Sequence, residues 1–273
     1  MEFIRKILSI LSAEMTEPQS YRWFHLMFVA IMIGLTVFLC IKFRNTNDKT
    51  FRRIVLICWI TMVILELYKQ FEYSYSLDTP TIEWDYQWYA FPYQLCSTPL
   101  YALPFIAFMK DCKFRDAIIA YMATFSIFGG LATFCYPEQV FISTIGINIQ
   151  TMVHHGLQIV LGVYFISYVR KKFSIKYYLW GIPVFASFMA LAIIVNELYV
   201  MILGTGETFN MFYVSRHFEC TLPILDGIYE EVTYIPFLLI YIFGFVLISA
   251  IIYFTSKLIL FIIHKVKDKK QHA

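Results

Sequence analysis

Long apolar runs separated by short polar connections dominate the chain. A helix needs about 20 apolar residues to cross the hydrocarbon core of a bilayer. Seven stretches qualify, at roughly 24–42, 54–71, 90–109, 117–135, 149–168, 178–203 and 235–263. Because backbone groups find no water partners in lipid, we expect these stretches to be helices. The period-two alternation of a membrane β-barrel is absent. The pattern therefore predicts an all-α, polytopic membrane protein with seven transmembrane helices.

The segment before the first predicted span has a different pattern. Residues 1–15 place Ile4, Ile7, Leu8 and Leu11 at helical spacing, and no small-residue cleavage site of a signal peptide follows. We expect an amphipathic helix at the outer interface. The sequence shows no internal repeat, which favours a single membrane domain. The predicted boundaries are an interfacial segment at 1–20, the seven-helix domain at 21–264 and a basic cytoplasmic tail at 265–273.

The distribution of Lys and Arg predicts the orientation. Sixteen of them lie in or beside the first, third and fifth connections and the C-terminal tail, whereas Arg216 is the only one in the even-numbered connections. Positively charged connections stay in the cytoplasm. We therefore expect the N-terminus outside, the C-terminus inside and a multi-pass location in a cell membrane. The basic residues are explained by topology and by contact with anionic lipid headgroups, so nucleic-acid binding has no support.

Composition narrows the class further. Of the 273 residues, 59% are hydrophobic and 15% are charged. Soluble domains are about half apolar and a quarter charged, so a soluble globular enzyme is excluded. Disorder is excluded with it, because disordered chains are poor in hydrophobic residues.

Polar side chains on four predicted helices share one depth. Ionisable residues inside a membrane are costly, and each is a functional-site hypothesis. At 1.5 Å per residue, Cys96 and His154 or His155 lie about 9 Å below the outer edge of the hydrocarbon core. Other polar residues lie in or near the same outer layer: Glu66, Lys69, Gln94, Gln158, Asn196 and Glu197. We therefore expect one polar cavity that opens toward the outer side.

Helix breakers lie in the same layer. Pro92 and Pro99 flank Cys96 in the third predicted span, with Pro104 further in, and Gly129-Gly130 lies in the fourth. Proline removes a backbone donor and frees carbonyls within a helix. Such breaks are tolerated where protein or a cavity satisfies the freed groups. A packing kink without further function is the alternative interpretation.

A Cys and a His on facing helices can act as nucleophile and base. Glu66 or Glu197 is then available to orient the imidazole. The substrate available at this depth is an acyl ester of a membrane phospholipid, and attack by Cys96 gives a thioester. Three alternatives remain open: histidines that only bond to carbonyls while Cys96 packs, a transporter or lipid-binding protein that uses the same cavity without chemistry, and a structural or regulatory subunit.

Metal and cofactor chemistry have less support. Adjacent histidines point about 100° apart on a helix, so His154 and His155 rarely face one ion. The spans contain no His-x-x-x-His spacing. We predict no metal and no cofactor. Cys135 and Cys220 lie near the outer face, and a disulfide between them remains open.

Four stretches resemble a known family. The tetrapeptide Gln94-Leu95-Cys96-Ser97 is similar to the His-Leu-Cys motif of YwaF-like bacterial integral membrane proteins, distant relatives of the eukaryotic transmembrane protein 164. His155 matches a family His, and 209–212 and 221–226 resemble elements near the last span. The resemblance covers roughly 55–255. It implies a cysteine-dependent acyltransferase or lipid-ester hydrolase of a bacterial plasma membrane, with Cys96 as nucleophile and His155 as base.

The family resemblance also implies partners and second-rank residues. Phospholipids or lysophospholipids would donate and accept the acyl chain, and Asn210 joins the supporting residues. The sequence departs from the family pattern at two places. Gln94 stands where His is common, and 229–234 replaces a segment rich in Trp and Pro. The sequence does not choose between His154 and His155 by spacing alone.

Overall fold

The computed structural model of the protein describes residues 2–77 and 81–271, with side chains described as far as Val266. The described chain is helical apart from a short antiparallel ribbon, β1 (Tyr75–Ser76) and β2 (Glu83–Trp84). In chain order the α-helices are α1 (Glu2–Leu11), α2 (Trp23–Lys42), α3 (Asp48–Glu72), α4 (Pro99–Phe108), α5 (Lys113–Tyr121), α6 (Ile127–Cys135), α7 (Ile145–Val169), α8 (Ile175–Leu179), α9 (Gly181–Leu203), α10 (Leu225–Glu231) and α11 (Tyr234–Gln271).

Six helical segments of the described chain are long and apolar enough to cross a membrane. Helices α2, α3, α7 and α11 each supply one. Helices α5 and α6 are joined by a π-helical turn, Met122–Ser126, and form one segment. Helices α8 and α9 run together from Ile175 to Leu203. The prediction of an all-α multi-pass membrane protein is confirmed, but six such helices are found rather than seven.

The third predicted span, 90–109, is where the structure differs. In place of one long helix, residues 88–108 contain two 3₁₀ turns, Trp88–Ala90 and Leu95–Ser97, followed by α4. Phe91 precedes Pro92, and its ψ of 132° lies outside the helical region, as expected for a residue followed by proline. The continuous helical part, Leu95–Phe108, measures about 21 Å and is shorter than a bilayer core of about 30 Å.

The three basic connections meet at one end of the bundle. The guanidinium of Arg170 donates to Arg44 O (3.1 Å) and to Asn45 Oδ1 (2.5 Å), which joins the fifth connection to the first. Arg115, at the start of α5, pairs with Asp48 of α3 at 2.6 Å. We call this the basic end. Lys265 lies in α11, whereas the side chains of the predicted tail at 267–273 lie outside the described residues.

The N-terminal segment packs on the opposite end. Tyr75 and Tyr68 donate hydrogen bonds to the carbonyls of Leu8 and Leu11 (3.1 and 2.8 Å). A bridge pairs Glu14 with Thr144, ahead of α7. Helix α1 therefore lies against loops of this end, and its apolar residues Phe3, Ile4 and Ile10 remain exposed.

Helix α7 lies at the centre of the fold and contacts α2, α3 and α6. Leu161, Tyr164 and Phe165 of α7 are completely buried. The approach of α6 to α7 is close because Gly130 has no side chain. A Cβ at that position would lie 2.5 Å from His155 O. Small residues at a helix contact let two backbones approach closely within a membrane.

Candidate functional site

Cys96 lies in the 3₁₀ turn Leu95–Ser97, which leads directly into α4. A bend at Pro92, where Tyr93 N donates to Phe91 O (2.8 Å), leads the chain to this turn, and Pro99 begins the α-helix. The Cys96 side chain is half-buried and is a free thiol. The unpaired N–H groups of a first helical turn carry partial positive charge, which stabilises a thiolate.

Two side chains of α7 bind the backbone of Cys96. The Nε2 atom of His154 lies 2.9 Å from Cys96 O, and Gln158 Nε2 donates to the same carbonyl. Because a carbonyl can only accept, His154 must carry its proton on Nε2 in this arrangement. The neutral ring then has a lone pair on Nδ1. That Nδ1 atom and Gln158 Oε1 are buried without a hydrogen-bond partner among the described residues.

His155 has a different partner. Its Nδ1 lies 2.8 Å from Thr151 O of the preceding helical turn. By the same reasoning Nδ1 carries the proton, and Nε2 keeps a lone pair. The rings of His154 and His155 are edge to face, with centroids 5.6 Å apart. Of the two, His154 is the histidine with a described contact to Cys96.

Helix α6 forms another side of the site through its glycine pair. A Cβ at Gly129 would lie 3.6 Å from Cys96 Cβ and 3.4 Å from Gln158 Oε1. The backbone of α6 therefore packs directly on the cysteine turn. The sequence-predicted glycine pair lies at this contact.

A charged pair lies nearby on α3, with Glu66 buried and Lys69 partly buried. Lys69 Nζ is 2.8 Å from Glu66 Oε1, and Gln70 Nε2 donates to the same oxygen at 2.7 Å. Gln70 also donates to Ala90 O, and Tyr86 donates to Gln70 Oε1. The charges of Glu66 and Lys69 both lie close enough to act on Cys96. Lys69 favours the thiolate and Glu66 opposes it, so the ion pair between them leaves little net charge beside the thiol.

Three predicted supporting residues hold the long connection between α9 and α10. Gln94 Nε2 donates to Asn210 O (2.9 Å), and its Oε1 accepts from Phe212 N (2.7 Å). Asn196 makes the same paired contact with the backbone of Met211, at 3.0 and 2.8 Å. Asn210 bonds within the connection, to Glu219 O and Ser215 N. These amides anchor the connection beside the cysteine turn.

Glu197 has partners of its own. Its Oε2 lies 2.7 Å from Arg216 Nη2 and 3.2 Å from His217 Nε2. The Arg216 side chain is 58% exposed. The structure brings Glu197 together with this surface pair, whereas Glu66 is the carboxylate close to Cys96.

Sequence reasoning missed Tyr213. It lies in the anchored connection, half-buried, and burial together with the neighbouring thiol of Cys96 raises the pKa of its phenol. Phe212 and Tyr213 both have positive φ, 58° and 57°, which is uncommon for aromatic residues. No local pattern in the sequence signals this backbone or the proximity of Tyr213 to Cys96.

Neither a disulfide between Cys135 and Cys220 nor a metal-binding cluster is found near the site among the described residues. Cys135 and Cys220 are free thiols, one exposed and one buried, so the disulfide considered from their topology is not formed. Within the described ranges no group of three or more His, Cys, Asp or Glu side chains is arranged to hold a metal ion.

Comparison with known proteins assigns the sequence to a family. The TMEM164 family matches residues 17–257, which include the cysteine turn, both histidines and the anchored connection. The chain belongs to the TMEM164 family. The resemblance read from the Cys96 and His155 stretches is thereby confirmed, while its bacterial YwaF-like branch stays a prediction. No curated protein and no solved structure matches this TMEM164 family chain significantly.

Proposed function

We propose that this protein transfers or hydrolyses acyl chains of membrane phospholipids through an acyl-Cys96 intermediate. One observation carries the proposal. The turn that holds Cys96 is fixed by two buried side chains, His154 and Gln158, and each keeps an acceptor atom unpaired. Buried polar atoms are almost always paired in folded proteins. Two unpaired acceptors on side chains that bind the Cys96 backbone suit a reaction that moves protons to and from this turn.

In the first step the Cys96 thiol gives its proton to an imidazole. The sulfur then attacks the ester carbonyl carbon, a C–S bond forms and the C–O bond to the glycerol oxygen breaks. That oxygen takes the proton from the imidazolium and leaves as the hydroxyl of a lysophospholipid. In the second step an acceptor hydroxyl, or water, gives its proton to the imidazole and attacks the thioester carbon. The C–S bond breaks, and the sulfur recovers the proton.

The base belongs to the histidine pair on α7. Contacts favour His154, because it is bonded to the Cys96 backbone and its Nδ1 lone pair is unpartnered. The family resemblance favours His155, whose Nε2 lone pair has no partner among the described residues. The helical turn would stabilise the thiolate, together with Lys69, whose charge Glu66 partly offsets. Gln94, Asn196 and Asn210 would act indirectly, by holding the connection that carries Tyr213.

The membrane arrangement forms part of the same proposal. We infer seven crossings, with the broken 88–108 segment as the third, the N-terminus outside and the basic end in the cytoplasm of a bacterial cell. Glu66 lies six residues before the end of α3, about 9 Å along the helix. Cys96 would then meet lipid esters near the glycerol level of the outer leaflet.

The experiment is direct detection of the intermediate. The protein is purified in detergent, incubated with a labelled diacyl phospholipid and analysed by intact mass and peptide mapping. We expect a hydroxylamine-sensitive acyl adduct on Cys96 that is absent from Cys96→Ala and present in Cys135→Ala, the matched control at an exposed free thiol. An unmodified Cys96 across several lipid classes would remove the catalytic proposal. Lipid binding or flux that survives Cys96→Ala would favour a transporter or lipid-binding protein.

A further inference from the structure

A polar cavity lies at the basic end, far from Cys96. It has a volume of about 600 Å³ and is lined by residues of the first, third and fifth connections. Its wall includes Asp48, at the start of α3, whereas the cysteine site is bordered by Glu66 of the same helix. Eighteen residues of helix separate the two, about 27 Å. The basic-end cavity and the cysteine site therefore lie in separate parts of the fold.

Positive charges outnumber negative charges in the wall of this cavity. Five cations and two carboxylates line it. Asp48 is paired with Arg115, and Lys172 is paired with Asp111 and Asp116. These ion pairs leave the other cations of the wall without a counter-charge.

Three cations remain without a carboxylate partner in the described part of the chain. Arg170 donates only to neutral oxygens, the carbonyls of Arg44 and Ser167 and the side chain of Asn45. Arg44 and Lys171 form no ion pair with a described carboxylate. Three uncompensated positive charges around one concave surface create a field that attracts an anion.

A buried donor adds an independent observation. Arg115 is 1% exposed and lines the cavity. Its Nη2 binds Asp48, but its Nε is buried without a hydrogen-bond partner among the described residues. A buried guanidinium N–H is costly to leave unpaired. A planar fork of this kind matches the oxygens of a phosphate group.

We propose that this cavity binds a phosphate group, held by Arg44, Arg170 and Lys171 at its mouth and by Arg115 at its base. The group is carried by an anionic lipid headgroup or by a soluble phosphate compound. Basic pockets between membrane helices at this level are suited to lipid headgroups. The inference is independent of the acyl-transfer proposal, because it uses none of the residues around Cys96.

The test measures binding to the full-length protein in detergent by the shift of its thermal unfolding. The probes are dihexanoyl phosphatidic acid, zwitterionic dihexanoyl phosphatidylcholine and sodium phosphate. We expect saturable binding of phosphatidic acid that weakens with salt, and no saturable binding of phosphatidylcholine. Phosphatidic acid binding at least ten-fold tighter than inorganic phosphate identifies a lipid headgroup as the source. Equal affinities identify a free phosphate group.

A pair of double variants locates the binding. Arg44→Gln with Lys171→Gln removes two uncompensated charges whose side chains make no described structural contact. Each cation near a membrane surface contributes about a five-fold factor to the affinity for an anion, so we expect affinity to fall about twenty- to thirty-fold. The control, Lys110→Gln with Lys176→Gln, removes two exposed charges of the same end outside the cavity wall. Equal losses in both pairs, or no saturable binding of either phosphate probe, would overturn the proposal.

Discussion

Two groups of amide and imidazole side chains lie side by side, and they differ in how their hydrogen bonds are used. In the loop anchor, formed by Gln94 and Asn196, the side-chain oxygen and nitrogen both bind the connection at Asn210–Phe212. In the cysteine cluster, His154 and Gln158 each bind Cys96 O with one atom and leave the other unpaired.

This difference in hydrogen bonding assigns the two groups different roles, in the stability of the fold and in the reaction. A fully paired buried amide stabilises the fold, and the loss of its partner costs about 1–3 kcal/mol per orphaned group. The cysteine cluster already bears that cost at two atoms. Sites that depart from complete pairing are expected to be functional. The loop anchor should therefore respond to mutation in stability, and the cysteine cluster in activity.

The largest expected effect is on activity, at His154. In His154→Gln the side chain keeps an N–H donor for Cys96 O but loses a base. We expect acyl transfer to fall by about 10²–10⁴-fold, the usual contribution of general acid–base catalysis, with little change in the unfolding temperature. The measurement is single-turnover kinetics of labelled phospholipid cleavage.

His155→Gln is the matched variant one position along α7. A large loss at His155 with retained activity in His154→Gln would transfer the role of base to His155. Wild-type rates in both variants would refute the proton transfer altogether.

The next effect is on stability and contrasts the two groups directly. Asn196→Leu orphans the N–H and the C=O of Met211 in a buried position, so we expect a loss of about 2–4 kcal/mol. Gln158→Leu removes an oxygen that has no partner, and Cys96 O keeps His154 as a donor. We expect a change of about 1 kcal/mol or less for this variant. Thermal unfolding in detergent measures both.

Equal destabilisation in Asn196→Leu and Gln158→Leu would show that the loop anchor and the cysteine cluster stabilise the fold to the same extent. The distinction drawn from their hydrogen bonds would then be lost.

A smaller effect is expected where α6 meets α7. In Gly130→Ala the new methyl group would lie 2.5 Å from His155 O and 2.9 Å from Ile159 Cγ1. Overpacking of this kind costs about 1–3 kcal/mol, and the shift of α7 should also reduce turnover at Cys96. Gly244→Ala is the control, since nothing lies within 4 Å of its Cβ position and alanine favours a helix by about 1 kcal/mol. Destabilisation at both glycines would indicate a general intolerance rather than this contact.

The sequence predicts the long helices well because a single requirement, burial of every backbone polar group in lipid, determines them. It also predicts that Cys96 shares a layer with His154 or His155, since depth follows from helical rise. The irregular segment before α4 is harder to predict from the sequence. Prolines at 92 and 99 signal a break, but they do not reveal how far the helix shortens.

Long-range contacts account for most of the features of the site that the sequence does not predict. Gln94 and Phe212 are 118 residues apart, and no local pattern indicates that the connection after α9 folds back against the cysteine turn. Tyr213 was missed for this reason. The depth estimated from helical rise also places Glu197 in the layer of the site. That estimate gives the position of a residue along a helix and not its direction around the helix. Adjacent residues such as Asn196 and Glu197 point about 100° apart, one into the bundle and one toward Arg216.

The smallest expected effect tests that directional argument. Glu197 is the neighbour of Asn196, yet it pairs with Arg216, whose side chain is 58% exposed. An exposed ion pair contributes at most about 1 kcal/mol, because solvent and salt screen it. We expect Glu197→Gln to change stability by less than that and to keep phospholipid turnover within about two-fold of the wild-type rate. Unfolding temperature and turnover at two salt concentrations provide the check. A hundred-fold loss of turnover in Glu197→Gln would place this carboxylate in the reaction and would join the two groups that their hydrogen bonds now separate.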